Sequence, residues 1–222
     1  MTPTPLAGPR VVPANDPAAI ALATACLANG GVVAVPTDTV YGIAASLAVP
    51  SALRRVFEIK GRSAVKSLPV LVANFEHVAE IATGDSADLL GLARLHWPGP
   101  LTVVLPARPD LPAEVVALDA AGNRTVGVRV PDHARTREVI AAAGGALAVT
   151  SANRSGEREA RSAAEVVAAC PTVDLVIDGG PSPGGLSSSV VADFAGTLRV
   201  LRVGALSAET LAEQWEDVTS RS

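Results

Sequence analysis

The sequence predicts an α/β fold, a single domain with a mixed sheet flanked by helices. Two observations predict it. Short apolar runs of strand length alternate with longer Ala- and Leu-rich segments of helical period, and Gly or Pro marks most of the boundaries. Neither an internal repeat nor an obvious linker divides the 222 residues, a length that can bury a sizeable core.

Residues 1–15 carry Pro3, Pro5, Pro9 and Pro13 and read as a flexible or extended lead-in. Asp16-Pro17 reads as a cap followed by Pro at the first helical position, with the helix running to about Ala28 and ended by Asn29-Gly30-Gly31. Val32 to Val35 is a strand stopped by Pro36, and Thr37 to Ser46 re-enters the sheet. Ser51 to Ile59 is a helix with Leu53, Val56 and Phe57 on one face. Leu68 to Val72 is a strand, and Glu76 to Thr83 and Ser86 to His96 are helices. Trp97-Pro98-Gly99-Pro100 is a rigid turn into the strand Leu101 to Leu105. Thr125 to Val130 is a strand, and Asp132 to Ala143 a helix ended by Gly144-Gly145. Leu147 to Val149 is a strand that delivers Ser151 and Asn153. Ser162 caps a helix to Ala169, with Glu165 three positions on. Leu175 to Ile177 is a strand. Ser188 to Phe194 and Leu198 to Val203 form a hairpin, and a last helix starts near Ser207.

Composition excludes several functions. Hydrophobic residues make up 49% and charged residues 18%, which is globular rather than disordered. Aromatics at 3% argue against stacking platforms for single-stranded nucleic acid. A net charge of −4 gives no whole-surface attraction to nucleic acid, although a local basic groove is compatible with it. No apolar run reaches the ~18 residues of a membrane span, and no secretory signal opens the chain, so a cytoplasmic location is expected. Cys26 and Cys170 read as buried free thiols. His77, His96 and His133 lack ligand spacing, so no metal site is expected. Neither a P-loop, a GxGxxG turn nor a GxSxG elbow occurs.

The chemistry-bearing clusters lie at loop positions. Lys60-Gly61-Arg62, with Lys66 nearby, offers fixed cations around a glycine that lets an anion approach the backbone. Ser151-Ala152-Asn153 offers a hydroxyl and an amide. Thr37-Asp38-Thr39 follows a strand end, Ser187-Ser188-Ser189 follows Gly184-Gly185, and Arg129 and Arg202 lie near strand ends. Taken singly, each also reads as an ordinary turn or a solvated basic loop.

Taken in order, the segments GGVVAVPTDTVYGIA, FEIKGR, HWPGPLTVVL, VGVRVPDH, VTSANRSG, IDGG, SSSVVADF and LRVGAL resemble the YrdC-type threonylcarbamoyl-AMP synthases across residues 16–206. The resemblance implies a twisted mixed sheet with a large concave, electropositive groove over 16–206, between the lead-in and a C-terminal helix and tail at 207–222. It implies that L-threonine, bicarbonate and ATP, with Mg²⁺ carried alongside the nucleotide, give threonylcarbamoyl-adenylate and pyrophosphate. A tRNA-modifying threonylcarbamoyl transferase complex then uses the product. By the family pattern Lys60, Arg62, Ser151 and Asn153 form a catalytic, nucleotide-side tetrad, and Arg202 reaches the ATP phosphates. Thr39 and Arg129 hold threonine, Ser189 closes over it, and Thr37 is a secondary candidate. Ser63, Ser67 and Ser189 depart from the usual Pro, Pro and Thr, and 157–161 lacks the usual Pro. The alternatives are a non-catalytic RNA-binding paralogue, for which weak tRNA or double-stranded RNA binding would be the function, and a carbamoyltransferase-like relative. Those relatives carry extra domains, for which 222 residues leave little room.

Overall fold

The computed structural model describes residues 8–61, 67–84 and 86–220. Its strands are β1 (Arg10–Pro13), β2 (Val33–Val35), β3 (Gly42–Ser46), β4 (Val70–Val72), β5 (Leu101–Pro106), β6 (Ala117–Leu118), β7 (Arg124–Arg129), β8 (Ala146–Ser151), β9 (Leu175–Asp178), β10 (Ser189–Phe194) and β11 (Thr197–Arg202). Its helices are α1 (Ala19–Ala28), α2 (Pro50–Lys60), α3 (Ala87–His96), α4 (Ala134–Ala142), α5 (Ala163–Ala169) and α6 (Ala208–Thr219). One mixed sheet runs β1-β9-β2-β3-β8-β4-β7-β5-β10-β11, with β6 paired to β7.

Period-two alternation splits the core into two layers. In β4, Val70 and Val72 join one apolar cluster while Leu71 joins the other. The first cluster is covered by α2, α3, α5 and α6, through residues such as Val56, Leu92, Val166 and Trp215. The second is covered by α1 and α4, through Ala23, Leu27, Val139 and Ile140. This second layer contains residues of β1, β9, β2, β3, β8 and β4 and none of β7, β5 or β10. On that side three strands therefore carry no helix, and Thr102, Gly127 and Arg129 can serve a ligand instead of a core.

Five expectations change. Arg10–Pro13 is not a flexible lead-in: it pairs in parallel with β9, Val12 against Ile177. Pro13 is tolerated because the strand is at the sheet edge. Helix α1 starts at Ala19 instead of Pro17, since Asp16 Oδ1 accepts from Ala18 N in a local turn (2.8 Å). Residues 76–80 form a 3₁₀ turn where an α-helix to Thr83 was expected. Helix α4 starts at Ala134 instead of Asp132, with His133 as its cap, accepting from Thr136 N. The helix expected to open a C-terminal tail packs Leu211 and Trp215 into the first cluster. Ser162 and Ser207 cap α5 and α6 as their sequence positions indicate. Cys170 is buried and Cys26 half-buried, and burial pushes both thiols above their ordinary value.

Candidate active site

Strand register assembles the first wall. Gly42 opposes Ser151, which sets the 37–41 segment beside the end of β8. A Cβ on Gly42 would lie 2.5 Å from Val149 Cγ1, so the close approach requires glycine. Helix α2 ends on Gly61 in the left-handed region (φ 60°), the conformation glycine favours at a helix end. Ser155 N donates to Lys60 O (2.9 Å) and locks the two segments together.

The Lys60 side chain crosses that junction at 3% exposure. Its Nζ donates to Ser151 O (2.7 Å), Ser151 Oγ (3.3 Å) and Asn153 Oδ1 (2.5 Å). Ser151 Oγ donates to Asn153 Oδ1 (2.8 Å), and Asn153 Nδ2 donates to Glu157 O (2.7 Å). Three of the four nucleotide-side candidates thus form one connected cluster. The fourth, Arg62, lies outside the described residues, as do Ser63 and Lys66.

The second wall is built on Arg129, which is 5% exposed. Its Nε donates to Gly99 O (2.8 Å), Nη1 to Thr39 Oγ1 (3.0 Å) and Nη2 to Asp38 Oδ1 (2.5 Å). Burial pulls this guanidinium below its ordinary value, the Asp38 carboxylate opposes that, and the charge of Arg202 adds to the lowering. The group remains a cation at neutral pH. Thr37 Oγ1 bonds Thr39 Oγ1 (2.9 Å) and donates to Val40 O (2.6 Å), so Thr37 shapes the loop that presents Thr39.

Arg202 forms the third wall. Its Nε and Nη2 donate to Ser188 O at 3.0 and 2.9 Å, and Nη2 also reaches Ser188 Oγ at 3.1 Å. Ser188 Oγ in turn bonds Thr102 Oγ1 (2.8 Å). Burial lowers the Arg202 pKa, and Glu159 counters it. A cavity of about 220 Å³ lies between the walls, with Thr39, Arg129, Ser151, Ser188 and Arg202 all in its lining. Ser67, one of the departures from the family pattern, also lines it.

Residues 25–204 match the protein family described as Telomere recombination, Sua5/YciO/YrdC. A threonylcarbamoyl-AMP synthase of Bacillus subtilis is 33% identical over 198 residues, 89% of this chain and 56% of the relative. The chain belongs to the Sua5/YciO/YrdC family. The structure of Pyrococcus abyssi Sua5 complexed with L-threonine superposes with a TM-score of 0.81 at 34% identity, covering 88% of this chain and 56% of that one. Escherichia coli YciO shares the fold, with a TM-score of 0.75 at 23% identity over 86% of this chain and 92% of its own. The chain spans about half the length of the B. subtilis and P. abyssi curated relatives.

Within this Sua5/YciO/YrdC fold, Ser189 departs from its expected place. It is fully buried, and its hydroxyl donates to Leu206 O (2.7 Å) while accepting from Gly204 N (2.9 Å) and Leu206 N (3.0 Å). Ser189 is absent from the cavity lining, and the hydroxyls presented there are those of Ser187 and Ser188. The run of three serines was visible in the sequence, but only the register of β10 on β5, Ser189 opposite Leu101, decides which serine faces where. Ser189→Ala is expected to lose about 1–3 kcal/mol of stability, because two N–H groups and a carbonyl lose their partner. Ser188→Ala is expected to lose less, because Arg202 keeps both its bonds to the Ser188 carbonyl and only the bonds to the hydroxyl are removed. Urea unfolding of both variants reads the difference.

Thr102 is a site residue that sequence reasoning did not assign, and Asp38, read there only as part of a polar cluster, is the partner of Arg129. Thr102, a polar residue alternating with Leu101 and Val103, carried a usable signal. The pairing of Asp38 with Arg129 carried none, since the two lie 91 positions apart. Tyr41 lines the cavity and donates to Gly180 O (2.7 Å) while accepting from Gly179 N (3.1 Å). Burial raises its pKa from 10.0 to about 12. Between those two values the unfolded phenol loses its proton while the native one keeps it, so stability falls as pH rises. Tyr41→Phe is expected to flatten that alkaline decline in pH-dependent urea denaturation.

Proposed function

We propose that this protein makes L-threonylcarbamoyladenylate from L-threonine, bicarbonate and ATP, releasing pyrophosphate. One observation carries the reading: Ser151, Thr39 with Arg129, and Ser188 with Arg202 line one small cavity, and Lys60, Asn153 and Asp38 are bonded to these lining residues. The threonine in the P. abyssi relative gives the substrate class.

In this reading Arg129 takes the threonine carboxylate and Thr39 and Ser188 take its polar atoms. The threonine amine captures carbon dioxide from bicarbonate as a carbamate. A carbamate oxygen then attacks the α-phosphorus, and pyrophosphate leaves with the electron pair of the broken P–O bond. Negative charge spreads over phosphoryl oxygens, so fixed cations and donors supply the catalysis without a protein nucleophile. Lys60 holds Ser151 and Asn153 in place for the nucleotide, and Arg62 and Arg202 supply charge. No group of three or more His, Cys, Asp or Glu side chains is gathered for a metal among the described residues. A Mg²⁺ ion arriving with ATP would add positive charge at the phosphates. The product would pass to a tRNA-modifying threonylcarbamoyl transferase complex in the cytoplasm. No helix among the described residues is long and apolar enough to cross a membrane.

The test is pyrophosphate release from ATP and bicarbonate with and without threonine. Release that depends on threonine is expected, and equal release without it would overturn the reading. The RNA-binding alternative predicts instead a steeply salt-dependent tRNA affinity with no turnover.

A further inference from the structure

A second opening lies beyond the ends of two adjacent parallel strands. β4 and β7 run in parallel, Val70 opposite Val128 and Leu71 opposite Arg129. After β4 the chain passes through the 3₁₀ turn at 76–80 to α3, which covers the first apolar cluster. After β7 it passes to α4, which covers the second. The two continuations leave on opposite faces of the sheet, and such a crevice is where open α/β sheets receive ligands. Here it is a cleft of about 410 Å³, with Ala73 after β4 and Val130 after β7 both in its lining. That is within the size range of small-molecule sites. The cleft shares no lining residue with the cavity described above.

The side chains of this cleft suit a ring that carries an acid. Phe75 and Trp97 both line it and meet edge to face, with centroids 5.8 Å apart and planes at 62°. Trp97 Nε1 donates to Leu101 O (2.7 Å), which fixes the indole. The Arg94 guanidinium lies on the Phe75 ring, with Cζ 3.9 Å from the centroid. It makes no hydrogen bond or ion pair among the described residues. Stacking uses the face of a guanidinium, so its N–H edge stays open to an acceptor. Arg137, from α4, lines the same cleft. Its Nη1 donates to Pro131 O (2.8 Å) and Asp132 Oδ1 (3.3 Å), which leaves Nη2 for a ligand. Open guanidinium edges are the natural partners of carboxylate and phosphate oxygens. Asn74 and Glu76 complete the polar lining. Asn74 Oδ1 accepts from His77 N (3.3 Å), so Nδ2 is the donor left over. The Glu76 carboxylate pairs with no cation among the described residues. A ring carbonyl next to a ring N–H would match this donor and this acceptor.

We infer that this cleft is a second ligand site, for a small anion built on a planar heterocycle with an amide edge. The ring lies against Phe75 and Trp97, and its acidic group on Arg94 and Arg137. The site is independent of the synthase reading, in which none of these residues has a part. Fluorescence titration of the full chain reads it. Trp97 is one of two tryptophans, and the other, Trp215, is buried in the first apolar cluster. Four probes separate the contributions: orotate is ring plus carboxylate, uridine monophosphate ring plus phosphate, uridine the ring without the acid, and inorganic phosphate the acid without the ring. Orotate or uridine monophosphate is expected to bind tenfold or more tighter than uridine and phosphate, and the tighter of the two identifies the acidic group. Arg94→Gln is expected to weaken that ligand tenfold or more, as loss of a charge-assisted contact implies, and to melt near the parent because Arg94 is exposed. Arg94→Lys should keep part of the affinity, Phe75→Leu should lose a smaller factor, and Arg202→Gln, in the first cavity, should change nothing. Absence of saturation by either acid at millimolar concentration would overturn the inference. So would uridine or phosphate binding as tightly as the acids, unchanged affinity in Arg94→Gln, or a loss confined to Arg202→Gln, which would put the ligand in the first cavity. If binding follows the expectation and threonine-dependent release is absent, the synthase reading fails and the second site stands.

Discussion

Lys60→Ala is expected to abolish threonine-dependent pyrophosphate release. The ammonium is nearly inaccessible and its bonds to Ser151 and Asn153 knit α2 to the end of β8. Truncation leaves the Ser151 carbonyl without this donor and Asn153 Oδ1 with only the Ser151 hydroxyl. Each bond to a charged group contributes about 1.5–3 kcal/mol, so the variant should also unfold at lower urea. The rate loss should be at least about 10²–10³-fold, the scale of removing one preorganised donor that stabilises developing charge. Lys60→Met keeps the apolar stem, and should recover part of the stability and none of the activity. Lys60→Ala with unchanged pyrophosphate release would remove this cluster from the mechanism.

Arg129 should give the second large effect, on threonine instead of ATP. Its three bonds reach two different segments, and Asp38 answers its charge at 2.5 Å with both side chains largely buried. Removing one member of such a pair costs about 3–5 kcal/mol, so Arg129→Met is expected to be poorly stable. Arg129→Lys keeps the charge but cannot span Gly99, Thr39 and Asp38 at once. It is expected to fold, to raise the threonine KM tenfold or more by loss of a fixed fork to a carboxylate, and to leave ATP affinity near its parent value. A titration of each substrate against Arg129→Lys separates these outcomes. An unchanged threonine KM would show that Arg129 serves the fold alone.

Much of this site was legible in the residues because its parts sit in short local motifs. Thr39, Ser151 and Asn153 lie within a few positions of strand ends, where both the strand and the following polar loop announce themselves. Arg129 and Arg202 stood out as single cations closing apolar strands. Less local features were not legible. The edge strand Arg10–Pro13 is only four residues long and proline-flanked, and nothing but its partner β9 makes it a strand. The short β6 and the 3₁₀ turn at 113–115 went unread for the same reason.

By itself the sequence determined the order of helices and strands, the α/β class and the family, because periodicity, turn residues and ordered motifs are properties of neighbouring positions. Only the tertiary structure decided which hydroxyls of the serine run meet the cavity and which carboxylate answers Arg129. Those are matters of strand register and of contacts between segments far apart in the chain. A one-residue change of register turns every side chain to the opposite face, and no local pattern among three consecutive serines records which register won.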